Sequence, residues 1–514
     1  MSGGRRITVL DTTLRDGDQS PGYAFSRTDK IRTAAFLERL GVDIIEAGFP
    51  ASSQGQFDDI RALVDSVDNA AISVLARALP SDIVKAAKAI EHASRRIIHT
   101  SIATSPIHRQ WKLKMTRQQI IKTAVEAVRC ATAHADAVEI GAEDATRTEA
   151  DFLLEFCTAV TEAGADTVNI SDTVGYAQPA EFARLIKFIL SHVPAFETGT
   201  SKLSVHCHND LGLAAANTLA GIEAGASQVE LTLLGIGERA GNASLEEFVM
   251  ALDARGDYYH GIRTGIHAEL LAEGARLLSR ITGQIISPFR PVVGRNISAH
   301  GSGIHQNGIM AHPETYLLFP TEKSGSYSPR FVMTRHSGTS GLARAVKDLT
   351  GIELPSEKLS SLMEQFKTIS DSMNIVGSTD IIRLLNREKI TDSAIWELAD
   401  FRESRESEQS SLRLEIKSSK GETLSVDARG NTIWESVAQK LNALFGYDIK
   451  CEEYSFSLVG STHRQTGRFY LCASHNGILY HEELQCVNES ILCVEAYLDI
   501  VNSIICRNSG ARKD

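Results

Sequence analysis

The first 275 residues of the chain predict a (β/α)8 TIM barrel, and three observations carry that expectation. Eight short β-branched runs recur along this stretch: ITVLD (7–11), DIIEAGF (43–49), ISVLARA (72–78), RIIHTSIA (96–103), AVEIGAE (137–143), TVNISDT (167–173), LSVHCHN (203–209) and QVELTLL (228–234). Between them lie amphipathic helical stretches, and eight β–α units in roughly 250 residues is the count of such a barrel. Polar groups also gather at the C-terminal ends of the runs, the end that carries the active site in this architecture. Alternation of strands and helices is equally compatible with a doubly wound open sheet, because it does not by itself prove closure.

The first helix illustrates the local signals. In SRTDKIRTAAFLERLG, Ser26 is placed to cap, Asp29 falls in the first turn, and Gly41 is placed to terminate. Ile31, Ala34, Ala35 and Leu37 are expected to line its buried face.

Bulk properties exclude several classes. Lys and Arg number 53 against 64 Asp and Glu, a net charge of -11, so no nucleic-acid-binding face is expected. No run approaches the ~20 apolar residues of a membrane span, and MSGGRRITVL lacks the apolar region of a secretory signal. None of the eight cysteines form a C-x-x-C pair, so buried thiols in a reducing cytoplasm are expected rather than a zinc ribbon or redox dithiol.

The chain divides into three expected domains. Residues 1–275 form the barrel, and residues 276–402 form a helical linker subdomain in which the β–α rhythm stops. Residues 403–514 form a C-terminal α+β module, which the acidic run ESRESEQ (403–409) joins as a linker. The module reads as two β-then-α halves, one ending in TIWESVAQKLNALFG and the other in ESILCVEAYLDIVNSI. It has no acid–base constellation, which suits a regulatory or assembling role.

At the strand ends the chemistry concentrates. Asp11, Arg15 and Asp16 follow the first strand, Arg77 ends the third, His99 lies in the fourth, and Glu139 and Glu143 lie on the fifth. Asn169, Asp172 and Thr173 lie on the sixth, and His206 and His208 on the seventh. Two histidines at i, i+2 on a strand point the same way and form two ligands of a metal site. A carboxylate from LDTTLRDGDQ would complete a mixed nitrogen and oxygen shell suited to manganese, zinc, iron or cobalt, and to magnesium less naturally.

DTTLRDGDQ, SVHCHNDLGLAAANTLAGIEAGA and GIGERAGNASLEE together resemble the Claisen-condensing family of 2-isopropylmalate, homocitrate and citramalate synthases. RIIHTSIATSPIH, SGIHQNG and the C-terminal module with RGNTIWESV narrow the resemblance towards the 2-isopropylmalate branch. It implies a divalent metal, manganese first, held by Asp16, His206, His208 and Asn242, with potassium as an activator. It implies Arg15 as stabiliser of the developing alkoxide and Glu143, His305 and Tyr316 as catalytic groups. It further implies acetyl-CoA and a small 2-oxo acid as substrates, a homodimer, and leucine as effector of the C-terminal module. Arg77, His99, Gly141, Asn169, Ser171 and Thr173 are the expected substrate-binding set. Gly141 stands where the family usually has serine, Ser171 where it usually has proline, and Asn307 where it usually has aspartate, the first two near the expected 2-oxo acid pocket.

Overall fold

A computed structural model describes residues 4–327, 330–372, 376–406, 409–430, 432–461 and 464–510. It divides into two compact units, residues 1–297 with 318–328, and residues 298–317 with 329–514.

In the first unit eight parallel strands form a closed barrel. They are β1 (Thr8–Asp11), β2 (Ile44–Glu46), β3 (Ala71–Arg77), β4 (Arg96–Ala103), β5 (Ala137–Glu143), β6 (Thr167–Asp172), β7 (Lys202–Cys207) and β8 (Gln228–Leu231). Closure is explicit in the register, where β1 pairs with β8 from Thr8↔Gln228 to Asp11↔Leu231. That pairing removes the open-sheet alternative. QVELTLL is strand only to Leu231, because Leu233–Gly235 tightens into a 3-10 turn.

Strand alternation separates two environments. Ile98 and Ile102 on β4, Val168 and Ile170 on β6, and Val229 and Leu231 on β8 belong to the apolar core that also takes in the surrounding helices. Burying each such side chain contributes about 1.5–3 kcal/mol, so a charge in place of Ile170 would break this layer. The alternate residues, among them His99, Asn169, His206 and Glu230, are buried polar groups. A separate small apolar cluster of Leu10, Ile44, Ala71 and Ile97 also forms on the strands.

The helix Arg27–Leu40 has the expected ends. Ser26 and Asp29 form a reciprocal capping box, and Gly41 closes the helix at φ 90°, a left-handed conformation that favours glycine. Its buried face is rotated from the expected one, with Thr33, Ala34, Phe36, Leu37 and Leu40 buried and Ala35 exposed. The large Phe36 and Leu40 side chains decide the orientation, because they have most apolar area to bury.

The second unit begins with β9 (Ala299–His300), which pairs in parallel with β10 (Arg330–Phe331). Helices Thr339–Thr350, Ser356–Ser370 and Ser378–Arg387 pack around Leu342, Leu362, Phe366 and Leu385. Two antiparallel three-stranded sheets follow: β11 (Trp396–Glu406), β12 (Gln409–Ser418) and β13 (Thr423–Gly430), then β14 (Lys450–Ser461), β15 (Arg464–His475) and β16 (Ile478–Gln485). Each sheet leads into a helix, Ile433–Phe445 and Glu489–Gly510. The two β-then-α halves share one apolar core.

The linker reading of 403–409 is corrected. Glu403–Glu406 are the end of β11, paired with Gln409–Leu412 of β12, while 407–408 lie outside the described residues. β11 is an edge strand, and charged side chains are a normal feature of such edges because they discourage further strand pairing. Among the described residues no two of the eight cysteines are joined in a disulfide. Among the described residues no helix is long and apolar enough to cross a membrane.

Candidate active site

The loop after β1 turns sharply enough to bring two charged side chains over the barrel mouth. Asp16 donates its N–H to Thr12 O at 2.8 Å, and Arg15 does the same at 3.1 Å. The Arg15 guanidinium then bridges two carboxylates, with Nε 2.6 Å from Glu46 Oε2 and Nη1 2.7 Å from Asp16 Oδ2. Glu46, at the end of β2, is fully buried and also accepts from the Thr12 hydroxyl at 2.6 Å. His99 Nδ1 lies 2.8 Å from its other oxygen.

Electrostatics follow from this burial. Desolvation alone would raise Asp16, but Arg15, His206, His208 and Asn242 hold its carboxyl down to about 2. Glu46 is likewise desolvated, yet Arg15 and His99 hold it well below the usual carboxylate range. Burial would lower His99, but Glu46 and Glu230 raise it to about 9, so the imidazole is cationic at neutral pH. Glu139 has no cation in hydrogen-bond contact, and burial pushes it up to about 8; Gln228 Nε2 donates to both its oxygens at 2.9 Å.

His206 and His208 present their Nε2 atoms to each other at 3.2 Å, with the rings crossed at 75°. Each is held from behind. His208 Nδ1 donates to Gly241 O at 3.1 Å, and His206 Nδ1 lies 2.9 Å from Glu230 Oε2. Backing of the second ring nitrogen by a carbonyl or carboxylate is the usual support of a metal-binding histidine. The two Nε2 atoms are spaced to share one cation, since two donors about 2.1 Å from one ion sit roughly 3 Å apart. Asp16 Oδ2 is 3.9 Å from both nitrogens. Asp16, His206 and His208 thus form a buried group that could hold a metal ion.

Asn242 adds an oxygen donor. Its Nδ2 donates to Asp16 Oδ1 at 3.1 Å and Ile236 O at 2.9 Å, leaving the buried Oδ1 without a hydrogen-bond partner. The approach of Asn242 to Asp16 needs Gly237, where a Cβ would come within 2.1 Å of Asn242 Nδ2 and 2.6 Å of Asp16 Oδ1. The residues present therefore fit a divalent cation with mixed nitrogen and oxygen ligands. Glu46, His99 and Glu230 are also close enough to hold an ion, but Arg15 already occupies Glu46.

A cavity of about 300 Å³ opens beside this cluster. It brings together Arg15, Asp16, Arg77, His99, Glu143, Asn169, Ser171, Thr173, His206 and His208, ten of the residues singled out from the sequence. Phe49, Leu75 and Ala76 form an apolar part of its wall. Each guanidinium lining it already has a carboxylate: Arg15 has Glu46 and Asp16, Arg77 has Asp82 at 2.6 Å, and Arg239 has Asp210 at 2.8 Å. Asp210, beside the histidine pair in sequence, is thereby committed to Arg239. Glu143 is bridged by Lys112 at 2.6 and 2.8 Å, with His108 Nδ1 at 3.3 Å.

Three sequence candidates lie elsewhere. Gly141 does not line the cavity; a Cβ there would meet Ser101 Oγ at 3.2 Å and His99 Nε2 at 3.3 Å, so its small size leaves room for those two. His305 and Tyr316 belong to the second unit, where their rings stack with centroids 4.1 Å apart. Sequence reasoning missed Glu46 and Glu230. Both are single carboxylates embedded in apolar strands, IIE and VEL, and that signal was available because a carboxylate is rarely buried without a partner.

The HMGL-like family model matches residues 6–277, and the model described as homocitrate synthase post-HMGL domain-like matches residues 292–374. The barrel with its buried His/His/Asp group is thus of the HMGL-like class. The 2-isopropylmalate synthase of Nitratidesulfovibrio vulgaris is 46% identical over 383 residues, covering 74% of each chain. That of Pyrococcus furiosus is 39% identical over 512 residues, covering 97% of this chain and 99% of the relative. That of Aquifex aeolicus is 41% identical over 457 residues, 88% and 87% of the two chains. This chain belongs to the 2-isopropylmalate synthase family.

Proposed function

We propose that this protein condenses acetyl-CoA with 2-oxoisovalerate to give 2-isopropylmalate and CoA, the first committed step of leucine biosynthesis. The observation that carries the reading is the Asp16, His206 and His208 group opening onto a cavity whose guanidiniums are all paired. A second carboxylate, as on 2-oxoglutarate, would find no unpaired guanidinium among the described lining residues. The apolar wall of Phe49 and Leu75 suits a branched alkyl group instead.

The chemistry assigns roles residue by residue. A divalent cation held by Asp16, His206, His208 and Asn242, manganese in the favoured form, would act as a Lewis acid on the keto group. Glu143 and His305 are the two candidate acceptors of a proton from the acetyl methyl, and the carbanion so formed makes the new C–C bond to the keto carbon. Arg15 faces the alkoxide oxygen that develops on that carbon, which takes back a proton to become the product hydroxyl. Water then cleaves the thioester, releasing the CoA thiol and leaving a carboxylate. His99, Asn169, Ser171 and Thr173 orient the substrate, and Glu46 keeps Arg15 in place.

Ile304 and Met310, on the helix that carries His305, are 76% and 37% exposed. We assign them to contact with a second copy in a homodimer. Residues 403–514 respond to leucine, and the enzyme works in the cytoplasm. Thiol release from acetyl-CoA with 2-oxoisovalerate, pyruvate, 2-oxobutyrate and 2-oxoglutarate tests the assignment. Highest kcat/KM is expected for 2-oxoisovalerate; a preference for 2-oxoglutarate or pyruvate overturns the substrate, and cleavage without condensation overturns the reaction.

A further inference from the structure

His305 and Tyr316 lie in the same compact unit as the C-terminal module. The contacts inside that unit trace a continuous path between them. β10 carries Arg330, whose register partner on β9 is Ala299, with Phe331 opposite His300. The two strands are joined by Arg330 N–H donating to Ser298 O at 3.1 Å and Val332 N–H to His300 O at 3.2 Å. From β9 the path enters the His305 helix, Gly303–Ala311. Gln306 Nε2 donates to His300 O at 2.8 Å, and the His300 ring stands edge-on to His305 with centroids 6.3 Å apart.

In the other direction Arg330 reaches into the second three-stranded sheet. Its Nη2 is 2.9 Å from Glu483 Oε1 on β16, with 15% and 22% of the two side chains exposed. Its guanidinium lies over the Tyr470 ring on β15, 5.6 Å from the centroid. Tyr470 is fully buried and its hydroxyl is 2.9 Å from His481 Nδ1 on β16. A guanidinium stacked on an aromatic face and paired to a carboxylate is a rigid joint, since planar contacts on two sides restrict its rotamers. A two-residue strand pair such as β9–β10 has little stability of its own, so its position depends on such an anchor.

We propose that Arg330 is a positioning residue: through its grip on Glu483 and Tyr470 it fixes β10 and β9, and so sets the place of His305 and Tyr316 according to the state of the C-terminal module. This rests on the proposed condensing role of His305 and on the effector role of the module. The expected consequence is an effect on turnover rather than on 2-oxo acid binding, which belongs to the barrel.

Full-length protein and its Arg330→Met, Arg330→Lys and Glu483→Gln variants are compared by amide hydrogen exchange across 299–311 and by steady-state thiol release with manganese, with and without leucine. In Arg330→Met, exchange in 299–311 is expected to rise about five-fold while barrel peptides 202–231 stay unchanged. Its kcat is expected to fall about ten-fold, with KM for 2-oxoisovalerate within about two-fold and leucine inhibition blunted. Glu483→Gln moves in the same direction, and Arg330→Lys recovers part of the loss. Unchanged exchange in 299–311, or faster exchange spread equally through the barrel, overturns the proposal. If wild-type protein does not condense the two substrates, the functional reading fails, while the exchange measurement still decides the link through Arg330.

Discussion

Glu46→Gln is the sharpest perturbation of the barrel interior. The substitution preserves volume and leaves an oxygen for the Thr12 hydroxyl, but removes the charge facing both Arg15, at 2.6 Å, and His99, at 2.8 Å. Removing one partner of a buried ion pair is destabilising by about 3–5 kcal/mol, because the remaining charge is left uncompensated. The imidazole bears on part of this: desolvation opposes its charge, and Glu46 together with Glu230 and Glu139 holds His99 near 9 rather than 6.5, about 3 kcal/mol shared among the three carboxylates. That is a large share of the roughly 5–15 kcal/mol by which folded proteins are stable. The pH dependence has a definite sign. A histidine raised in the folded state contributes stability that is fully present below 6.5 and is lost as pH rises through 9. Wild type and variant should therefore differ most near pH 6 and draw together towards about pH 9.5, leaving the Arg15 contribution. Urea denaturation followed by far-UV circular dichroism at the two pH values measures this. A variant within about 1 kcal/mol of wild type at pH 6, or a gap independent of pH, would refute the account of the buried network.

Other outcomes follow from the same structure. His208→Ala should bind divalent metal poorly in equilibrium dialysis and lose nearly all turnover; near-normal activity after chelator treatment would remove it from the metal site. Glu143→Gln and His305→Ala should lower kcat and slow solvent exchange of the acetyl methyl protons more than they weaken 2-oxo acid binding, and unchanged exchange in both would exclude them as proton acceptors. Glu139, raised to about 8 by burial, stays protonated in the folded barrel while the unfolded chain ionises from about 4.5, so it erodes stability as pH rises between those values. Glu139→Gln should flatten that decline in Tm between about pH 5 and 8; an identical slope would show that Glu139 is not the group responsible. Truncation after residue 408 strips β11 of its partner β12, including the pair Phe401↔Leu414, and should give an aggregating fragment by size-exclusion chromatography, whereas a monodisperse one would refute this edge-strand argument.

The barrel was legible in the sequence because each β–α unit announces itself locally. Strand alternation puts Val168 and Ile170 outward and Asn169 and Ser171 inward whatever the neighbours are, and Ser26 and Gly41 bound their helix through contacts a few residues away. The histidine pair was legible for the same reason, since i, i+2 spacing fixes both directions. What only the tertiary structure decided are relations between residues far apart in the chain. Closure of β1 on β8 is one. The commitments of Arg15 to Glu46, Arg239 to Asp210 and His206 to Glu230 are others, because a carboxylate in an apolar strand shows that a partner is needed without showing which. The run at 403–409 read as a linker since its composition is that of exposed chain, and Glu403 and Ser404, on an edge strand, are exposed in the same way. The placing of His305 and Tyr316 with the C-terminal module was likewise invisible: packing between elements depends on which apolar faces meet, and local pattern carries no record of that choice.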